Sequence, residues 1–133
     1  MPLHILKSLS NKEEIKSIKN LYKIGFSTMS PEERIKNASQ EPSYLMAPVK
    51  IMAVFKCFNM NPQKLELLLH KFFGSACLNI DVFDNKGKCY RPREWFIAPL
   101  DIMQQAIDFI LNEKIIHYYY DLEKEKILTT DNC

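Results

Sequence analysis

The stretch NLYKIGFSTMSPEERI, residues 20–35, joins a predicted strand to a predicted helix and sets the pattern of the fold. Apolar residues dominate positions 21–26, which is typical of a short strand. After a loop of small polar residues, Ser30 can cap a helix, Pro31 suits its first position, and Glu33 completes a capping box. The stretch therefore predicts a strand, a loop and a capped helix in direct succession.

Two charged residues in this stretch can be interpreted in more than one way. Lys23 lies between apolar neighbours in the strand, and alternation alone would place it on the solvent face. Arg34 lies one turn into the helix, where surface ion pairs with nearby glutamates would explain it. Taken alone, each residue predicts an ordinary surface charge.

The composition is that of one globular domain. A chain of 133 residues, 47% hydrophobic and 26% charged, can form a single core without disulfides or metals. Three glycines and seven prolines argue against a disordered chain. The net charge of +2 and the pI near 8.3 permit nucleic-acid binding but do not indicate it. Any case for nucleic-acid binding therefore depends on local charge.

The cysteines and the hydropathy pattern bear on the compartment. The four cysteines are far apart, and the absence of a CxxC pair argues against a structural zinc site. The sequence has no signal peptide and no run of 18 apolar residues that would suit a membrane helix. We therefore expect a cytoplasmic protein with reduced thiols and no membrane partner.

The rest of the chain alternates short strands with helices. The predicted elements are strands at 2–8, 21–26 and 49–58, helices at 31–38, 61–74 and 99–119, and a strand pair around DNKG at 84–87. The order β-β-α-β-α-β-α predicts an α/β (α+β) fold whose small, mixed, mainly antiparallel sheet is flanked by helices. We expect a domain over residues 1–120 and a polar C-terminal tail over 121–133 that frays.

The predicted helix at 61–74 carries an acid and a histidine on one face. Glu66 and His70 lie four residues apart, so their side chains are neighbours on a helix. Such a pair can hold a divalent ion, although a hydrogen bond between the two side chains on a helix surface is the commoner outcome. Both interpretations remain open from the residues alone.

The run KGKCYRPR, residues 86–93, is the most basic part of the chain. Its four cations would bind phosphates, and its tyrosine is available to stack on a base. The alternative is a solvated hairpin tip whose charge is balanced by nearby acids. The cations are Lys86, Lys88, Arg91 and Arg93, the tyrosine is Tyr90, and the acids are Asp81, Asp84 and Glu94.

Several short pieces of the sequence, taken in order, resemble a known family. The pieces LHILKS, YKIGFS, Arg34, LELLLHKFF and EWF follow one another from about residue 3 to residue 107. This order resembles that of the GIY-YIG endonuclease superfamily, and most closely its bacteriophage Orf-type DNA-binding branch with a KIG second motif. No single piece is specific, but all five in order are hard to explain by chance.

The resemblance implies phosphodiester hydrolysis with a divalent metal, Mg²⁺ or Mn²⁺, at a site on a small mixed sheet. It implies that Glu66 is the metal ligand and that Arg34 neutralises charge on the phosphate. His4 and Lys23 stand where the superfamily has two tyrosines, so His4 would be the base and Lys23 would hold the phosphate or lower the base's pKa. Further candidates are Tyr22, one position before the second tyrosine's place, His70 as a partner that orients Glu66, and Asn79 as counterpart of a late asparagine.

Three functions follow from these observations. The first is a metal-dependent DNA endonuclease domain, which Lys23, Arg34 and Glu66 favour. The second is a DNA-binding module of the same fold that is catalytically weakened or inactive, which the histidine at position 4 favours. The third is a protein-interaction domain, which the modest net charge permits. Because the sequence starts almost at the first motif, we also expect a larger multidomain protein.

Overall fold

The computed structural model describes residues 2–27, 29–56 and 61–130, and within them no helix is long and apolar enough to cross a membrane. Its helices are α1 (Glu13–Lys16), α2 (Pro31–Ile35), α3 (Pro62–Phe73) and α4 (Leu100–Leu111). Its strands are β1 (Pro2–Ser8), β2 (Leu21–Phe26), β3 (Val49–Lys56), β4 (Val82–Phe83), β5 (Cys89–Tyr90), β6 (Trp95–Ile97), β7 (Tyr118–Asp121) and β8 (Lys126–Thr129). Positions 57 and 58, the predicted end of the third strand, lie outside the described residues.

Four strands form the main sheet in the order β3-β1-β2-β6, and each of the described pairings is antiparallel. Strand β1 is central, with His4 opposite Gly25 and Leu6 opposite Lys23 on β2. Strands β4 and β5 form one separate ribbon, and β7 and β8 form another. The predicted α+β class, with a small antiparallel sheet and flanking helices, is confirmed.

One face of the main sheet packs against α3 and α4. Ile5 and Ile24 lie opposite each other on this face and belong to the same buried cluster as both helices. Phe73 stacks on Phe96 of β6, with ring centroids 4.6 Å apart, and meets Tyr120 of β7 at 5.9 Å. The apolar residues of α3 recur at helical spacing, so one side of the helix is buried; they are Leu65, Leu69, Phe72 and Phe73.

The opposite face of the sheet is covered by the chain between α2 and β3. Two 3₁₀ turns there, Ala38–Gln40 and Pro42–Tyr44, carry Tyr44 into a second buried cluster with Trp95 of β6. The indole Nε1 of Trp95 donates a hydrogen bond of 2.9 Å to the Ser43 carbonyl. This bond ties the connecting segment to the sheet and leaves neither group unpaired.

The helix α2 begins as predicted and ends sooner. Ser30 caps it by accepting from the Glu33 amide at 3.4 Å, and Pro31 opens it. It ends at Ile35 rather than at residue 38, because the chain tightens into 3₁₀-type bonds such as that from the Gln40 amide to the Asn37 carbonyl.

The C-terminal region differs from the prediction. The helix expected over residues 99–119 ends at Leu111, where Glu113 takes a left-handed backbone (φ +58°) and the Lys114 amide bonds the Phe109 carbonyl at 2.7 Å. The apolar residues beyond it extend the helical spacing in sequence, but Ile115 packs into the core from a 3₁₀ turn (Ile115–His117). Tyr118 packs from the ribbon β7–β8, where its ring stacks on Phe109 at 4.3 Å. The fraying expected of the tail is therefore wrong as far as residue 129, the end of β8.

Replacing Phe73 with alanine should destabilise the fold by about 3–5 kcal/mol, because the ring is fully buried between α3 and the sheet. The free energy of unfolding in urea measures this loss. Leu67→Ala is the control on the same helix, since Leu67 is 71% exposed, and it should change stability by no more than about 0.5 kcal/mol. Equal losses in the two variants would contradict the described orientation of α3.

Candidate functional site

A cavity of about 210 Å³ lies at the edge of the main sheet, beside the residues that lead into β6. β6 pairs with β2 as far as Lys23, and the Ile24 amide then donates a hydrogen bond of 3.0 Å to the Glu94 carbonyl. Beyond that bond, Gly25 and Phe26 line the cavity instead of pairing with β6. The polar residues of the lining are His4, Lys23, Arg34, Ser43, Tyr44, Glu66, Arg93 and Glu94.

The structure brings four of the predicted site residues to this cavity from four different elements. His4 comes from β1, Lys23 from β2, Arg34 from α2 and Glu66 from α3. Arg93, predicted as part of the basic run, joins them from the segment that leads into β6. These five residues converge on one concave surface, and their chemical roles stay predictions.

Gly25 makes room for the two most buried polar groups. A Cβ atom added at this residue would lie 3.0 Å from His4 Nε2 and 3.3 Å from Lys23 Nζ, both closer than ordinary van der Waals contact. The cross-strand pairing of His4 with Gly25 is what sets the imidazole over the bare backbone. A glycine at this position therefore keeps the floor of the cavity open.

Lys23 is 6% exposed, so the interpretation of this residue as a solvent-facing charge is wrong. Its face of β2 is covered, since it pairs across the sheet with Trp95 and its Nζ lies over the Tyr44 ring. Within the described residues, no carboxylate lies within 4.0 Å of its ammonium group. Burial lowers the pKa of Lys23, the negative charge of Glu94 opposes this effect, and the positive charge of Arg34 adds to it.

Tyr44 lies beside two cations. Lys23 Nζ is 5.1 Å and Arg34 Cζ is 5.0 Å from the centroid of its ring, which are distances at which cations are attracted to aromatic rings. Arg34 is fixed further by Glu41, to whose two carboxylate oxygens its Nη1 donates at 3.0 and 3.2 Å. The ion pair expected for Arg34 is therefore present, and the same guanidinium also lines the cavity.

Sequence reasoning missed Tyr44 because the stretch EPSYLMAP has the composition of a loop. The residue is 1% exposed, and burial raises the pKa of its hydroxyl. Leu45 and Met46, directly after it, both have left-handed backbones, with φ of +60° and +54°. Consecutive non-glycine residues in this region are strained, and such strain is typical of functional sites. No pattern in the sequence signals that strain.

His4 is 1% exposed, and its Nδ1 has no hydrogen-bond partner among the described residues. Burial lowers its pKa from 6.5 to about 4, and the nearby Lys23 and Arg34 lower it in the same direction. The imidazole is therefore neutral at neutral pH. One part of the predicted role of Lys23, that it depresses the pKa of the candidate base, agrees with this arrangement.

Glu66 and His70 lie on one face of α3, as their spacing predicts, and Arg93 extends the group. Arg93 Nη2 lies 3.4 Å from His70 Nδ1 and can only donate to it, so Nδ1 is the acceptor in this contact and Nε2 is the other ring nitrogen. That Nε2 is buried and lies 3.8 Å from Glu66 Oε1, too far for a hydrogen bond. His70 thus faces the Glu66 carboxylate without being bonded to it.

The donors at the cavity fit a hydrated divalent ion. Within the described ranges, no group of three or more His, Cys, Asp and Glu side chains could form a metal site on its own. Mg²⁺ is usually held by one or two carboxylates together with waters and phosphate oxygens. Glu66, whose side chain is 48% exposed, and Glu94 both line the cavity and offer such carboxylates. The arrangement therefore suits Mg²⁺ or Mn²⁺ bound jointly with a phosphate.

Tyr22 and Asn79 lie away from the cavity, and His70, beside Glu66 on α3, does not line it. Tyr22 precedes Lys23 on β2, so its side chain is on the other face of the sheet, where it packs against the α3–α4 core. Asn79 lies in a shallow depression with Cys77 and Arg91. A direct catalytic role at the cavity does not fit the position of either residue.

The basic run divides between the ribbon β4–β5 and the cavity. Lys86 and Lys88 lie at the exposed tip of the ribbon. Asp84 Oδ1 accepts hydrogen bonds from both of their amides, at 2.8 and 2.9 Å, and its pKa is lowered mainly by the bond from Lys88. Arg91 is paired with Asp81 at 3.1 Å on the surface. Asp81 therefore balances Arg91, and Asp84 binds the backbone of the run. The side chains of Lys86 and Lys88 are exposed.

A second depression connects the cavity to the ribbon. This cleft, about 220 Å³ in volume, is lined by Pro42, Ser43, Glu66, Tyr90, Arg91, Pro92, Arg93 and Glu94. Four of these residues, Ser43, Glu66, Arg93 and Glu94, also line the cavity. A continuous surface therefore runs from the buried Lys23 to the exposed ring of Tyr90.

A protein family and a bacterial protein are similar in sequence to this chain. A family model described as the T5orf172 domain matches residues 5–111, and this is a phage-associated, endonuclease-like domain family. The chain is also 43% identical over 117 residues to the "Uncharacterized protein YeeC" of Bacillus subtilis (strain 168). That match covers 88% of this chain but spans only 30% of the relative. No solved structure matches the chain significantly.

The pKa of His4 predicts how stability changes with pH. The unfolded chain binds a proton at His4 near pH 6.5 and the folded chain only near pH 4, so stability falls as the pH drops through this interval. The full loss is about 3 kcal/mol. Urea unfolding at about pH 7 and about pH 4.5 should show a smaller difference for His4→Gln than for the wild type. An identical pH dependence in both proteins would contradict the buried, neutral state of His4.

The ring of Tyr44 should matter more for stability than its hydroxyl. Tyr44→Phe keeps the ring beside Lys23 and Arg34, whereas Tyr44→Leu leaves both cations without an aromatic partner. The leucine variant should therefore be less stable than the phenylalanine variant by about 1–3 kcal/mol in urea unfolding. Equal stability of the two variants would show that the ring does not stabilise the cations.

Proposed function

The chain belongs to the T5orf172 domain family, and on that premise we propose that it is a metal-dependent endonuclease domain that hydrolyses DNA phosphodiester bonds at the cavity. The observation that carries this proposal is the meeting of Lys23, Arg34 and Arg93 with the carboxylate of Glu66 around a single small cavity. Three cations in one concave site select an anion, and a tetrahedral phosphate suits their arrangement.

The cations would bind and polarise the phosphate. Among the described residues, only Nη1 of Arg34 donates to Glu41. The other two guanidinium nitrogens can therefore donate hydrogen bonds to phosphate oxygens. Lys23 is preorganised by burial and by the Tyr44 ring, so little reorganisation accompanies binding. Fixed donors aimed at developing charge in a site of low dielectric are the largest source of stabilisation in many enzymes.

His4 would accept the proton of the attacking water. It is neutral at neutral pH, and its Nδ1 has no hydrogen-bond partner among the described residues. A bound phosphate places negative charge near Lys23 and Arg34 and offsets their effect on the imidazole, so the pKa of His4 rises in the complex. The imidazole therefore becomes a better base once substrate is bound.

Glu66 would hold the divalent ion, and His70 would orient its carboxylate from the same face of α3. When bound, Mg²⁺ or Mn²⁺ supplies Lewis-acid stabilisation of the charge on the phosphate. Arg93, whose Nη2 lies 3.4 Å from His70 Nδ1, would hold the ring of His70 in place. Arg91, which lines the connecting cleft, and the two exposed lysines at the tip of the ribbon would contact flanking phosphates of the DNA.

A DNA-binding module without turnover is the second candidate, and the pKa of His4 favours it. A pKa of about 4 makes the free imidazole a weak base at neutral pH. If substrate does not raise that value, the cavity would hold a phosphate without activating water. Salt-sensitive DNA binding without cleavage is the result expected of such a module.

Nicking of supercoiled plasmid in Mg²⁺ or Mn²⁺ tests the first candidate. Glu66→Gln removes the charge that holds the ion, and Arg34→Lys removes the forked donor, so each should slow nicking by about 100-fold or more. Asp108→Asn is the matched acid-to-amide control, because Asp108 is exposed on α4 and lines neither the cavity nor the cleft.

Nicking by Glu66→Gln at the wild-type rate would contradict the assignment of Glu66. Salt-sensitive DNA binding by the wild type without nicking in either metal would support the second candidate. Circular dichroism of each variant shows whether the fold is retained.

A further inference from the structure

We propose that the cleft beside the cavity is a subsite for an unpaired nucleobase, so that the domain prefers single-stranded or locally melted DNA to an intact duplex. The inference rests on the proposed function, since it assumes that a phosphate of the same strand occupies the cavity. The base would lie against Tyr90 and the two prolines of the cleft, Pro42 and Pro92.

The position of the cleft fits one nucleotide. It shares Ser43, Glu66, Arg93 and Glu94 with the cavity, so the two depressions are in direct contact. In a nucleic acid the phosphate and the base are joined through one sugar, and adjoining sites for the two groups are therefore what a single nucleotide requires. Arg93 lines both depressions, so it can contact the DNA strand where it passes from one to the other.

The strand register points Tyr90 toward the cleft and Phe83 away from it. Tyr90 lies opposite the buried Val82 and shares its face of the ribbon, whereas Phe83 lies opposite the exposed Cys89 on the other face. Tyr90 lines the cleft, and Phe83, although 56% exposed, lines neither the cleft nor the cavity. Only one of the two aromatic rings is therefore placed to meet a ligand in the cleft.

The ring of Tyr90 is held in place before any ligand binds. Lys88 Nζ lies over it, 5.2 Å from the centroid. Asp84 fixes the turn of the ribbon through bonds from the amides of Lys86 and Lys88, and Gly87 supplies the left-handed backbone (φ +81°) that this turn requires. A preorganised aromatic beside a cation loses little entropy when it binds.

The chemistry of the cleft favours an unpaired base over other ligands. Tyrosine and proline offer flat, rigid, apolar surfaces, and a base stacks on an aromatic ring only when its own face is free. In a duplex the neighbouring base pairs cover those faces. The cations around the cleft, Arg91 and Arg93 beside Lys88, match the phosphates on either side of the base.

Fluorescence anisotropy with a labelled single-stranded oligonucleotide and its duplex, in EDTA to prevent cleavage, tests the proposal. Tyr90→Ala should weaken binding of the single strand by about 5- to 100-fold and change duplex binding much less. Tyr90→Phe should bind as the wild type does, because it keeps the ring. Phe83→Ala is the matched control on the opposite face and should leave both affinities unchanged.

An oligonucleotide with abasic sites in place of bases adds a second measurement. The wild type and Tyr90→Ala should bind it equally, since the base that the ring contacts is missing. Equal losses in Tyr90→Ala and Phe83→Ala, or equal losses for single strand and duplex, would overturn the subsite and leave the proposed function intact. Failure of the wild type to bind either DNA at low salt, both in EDTA and in Ca²⁺, would overturn both.

Discussion

The buried ammonium group of Lys23 is the constraint on which the rest of the cavity depends. Burying a charge without a close carboxylate is costly, and within the described residues no carboxylate lies within 4.0 Å of it. Three features offset this cost. The Tyr44 ring lies beside the ammonium group, the negative charges of Glu94 and other acids attract it from beyond 4.0 Å, and Gly25 leaves space for it. The main sheet contributes too, because β6 covers β2 only as far as Lys23 and leaves an opening beyond it.

The same arrangement explains why the neighbouring groups are poised for an anion. Lys23 and Arg34 share the Tyr44 ring, and both add to the effect of burial in lowering the pKa of His4. One bound phosphate would therefore neutralise both cations and raise the pKa of His4. Among the described residues, His4 Nδ1 and His70 Nε2 are buried without hydrogen-bond partners, and the turn after Tyr44 is strained. Proteins retain features of this kind at functional sites at some expense of stability.

The sequence was sufficient for most of the fold because local signals and tertiary packing agree there. Ser30 and Pro31 start α2 as predicted, and the apolar stripe of α3 faces the sheet as its spacing requires. The prediction failed where packing overrides local pattern, as in the apolar residues after Leu111 that form a ribbon instead of continuing α4. At the site, motif order located His4, Lys23, Arg34 and Glu66, but Tyr44 stands in a segment of loop composition. Its place beside two cations depends on contacts between distant parts of the chain, which no local pattern encodes.

The most direct test of the account is the pKa of His4 with and without DNA, measured by NMR on the imidazole in the absence of divalent metal. The account predicts a value near 4 in the free protein and a clear rise when a short oligonucleotide binds, because a phosphate in the cavity offsets the charges of Lys23 and Arg34. Lys23→Met should remove much of the rise while the fold is retained. A His4 pKa that stays the same when DNA is bound would contradict the claim that the cavity holds the phosphate.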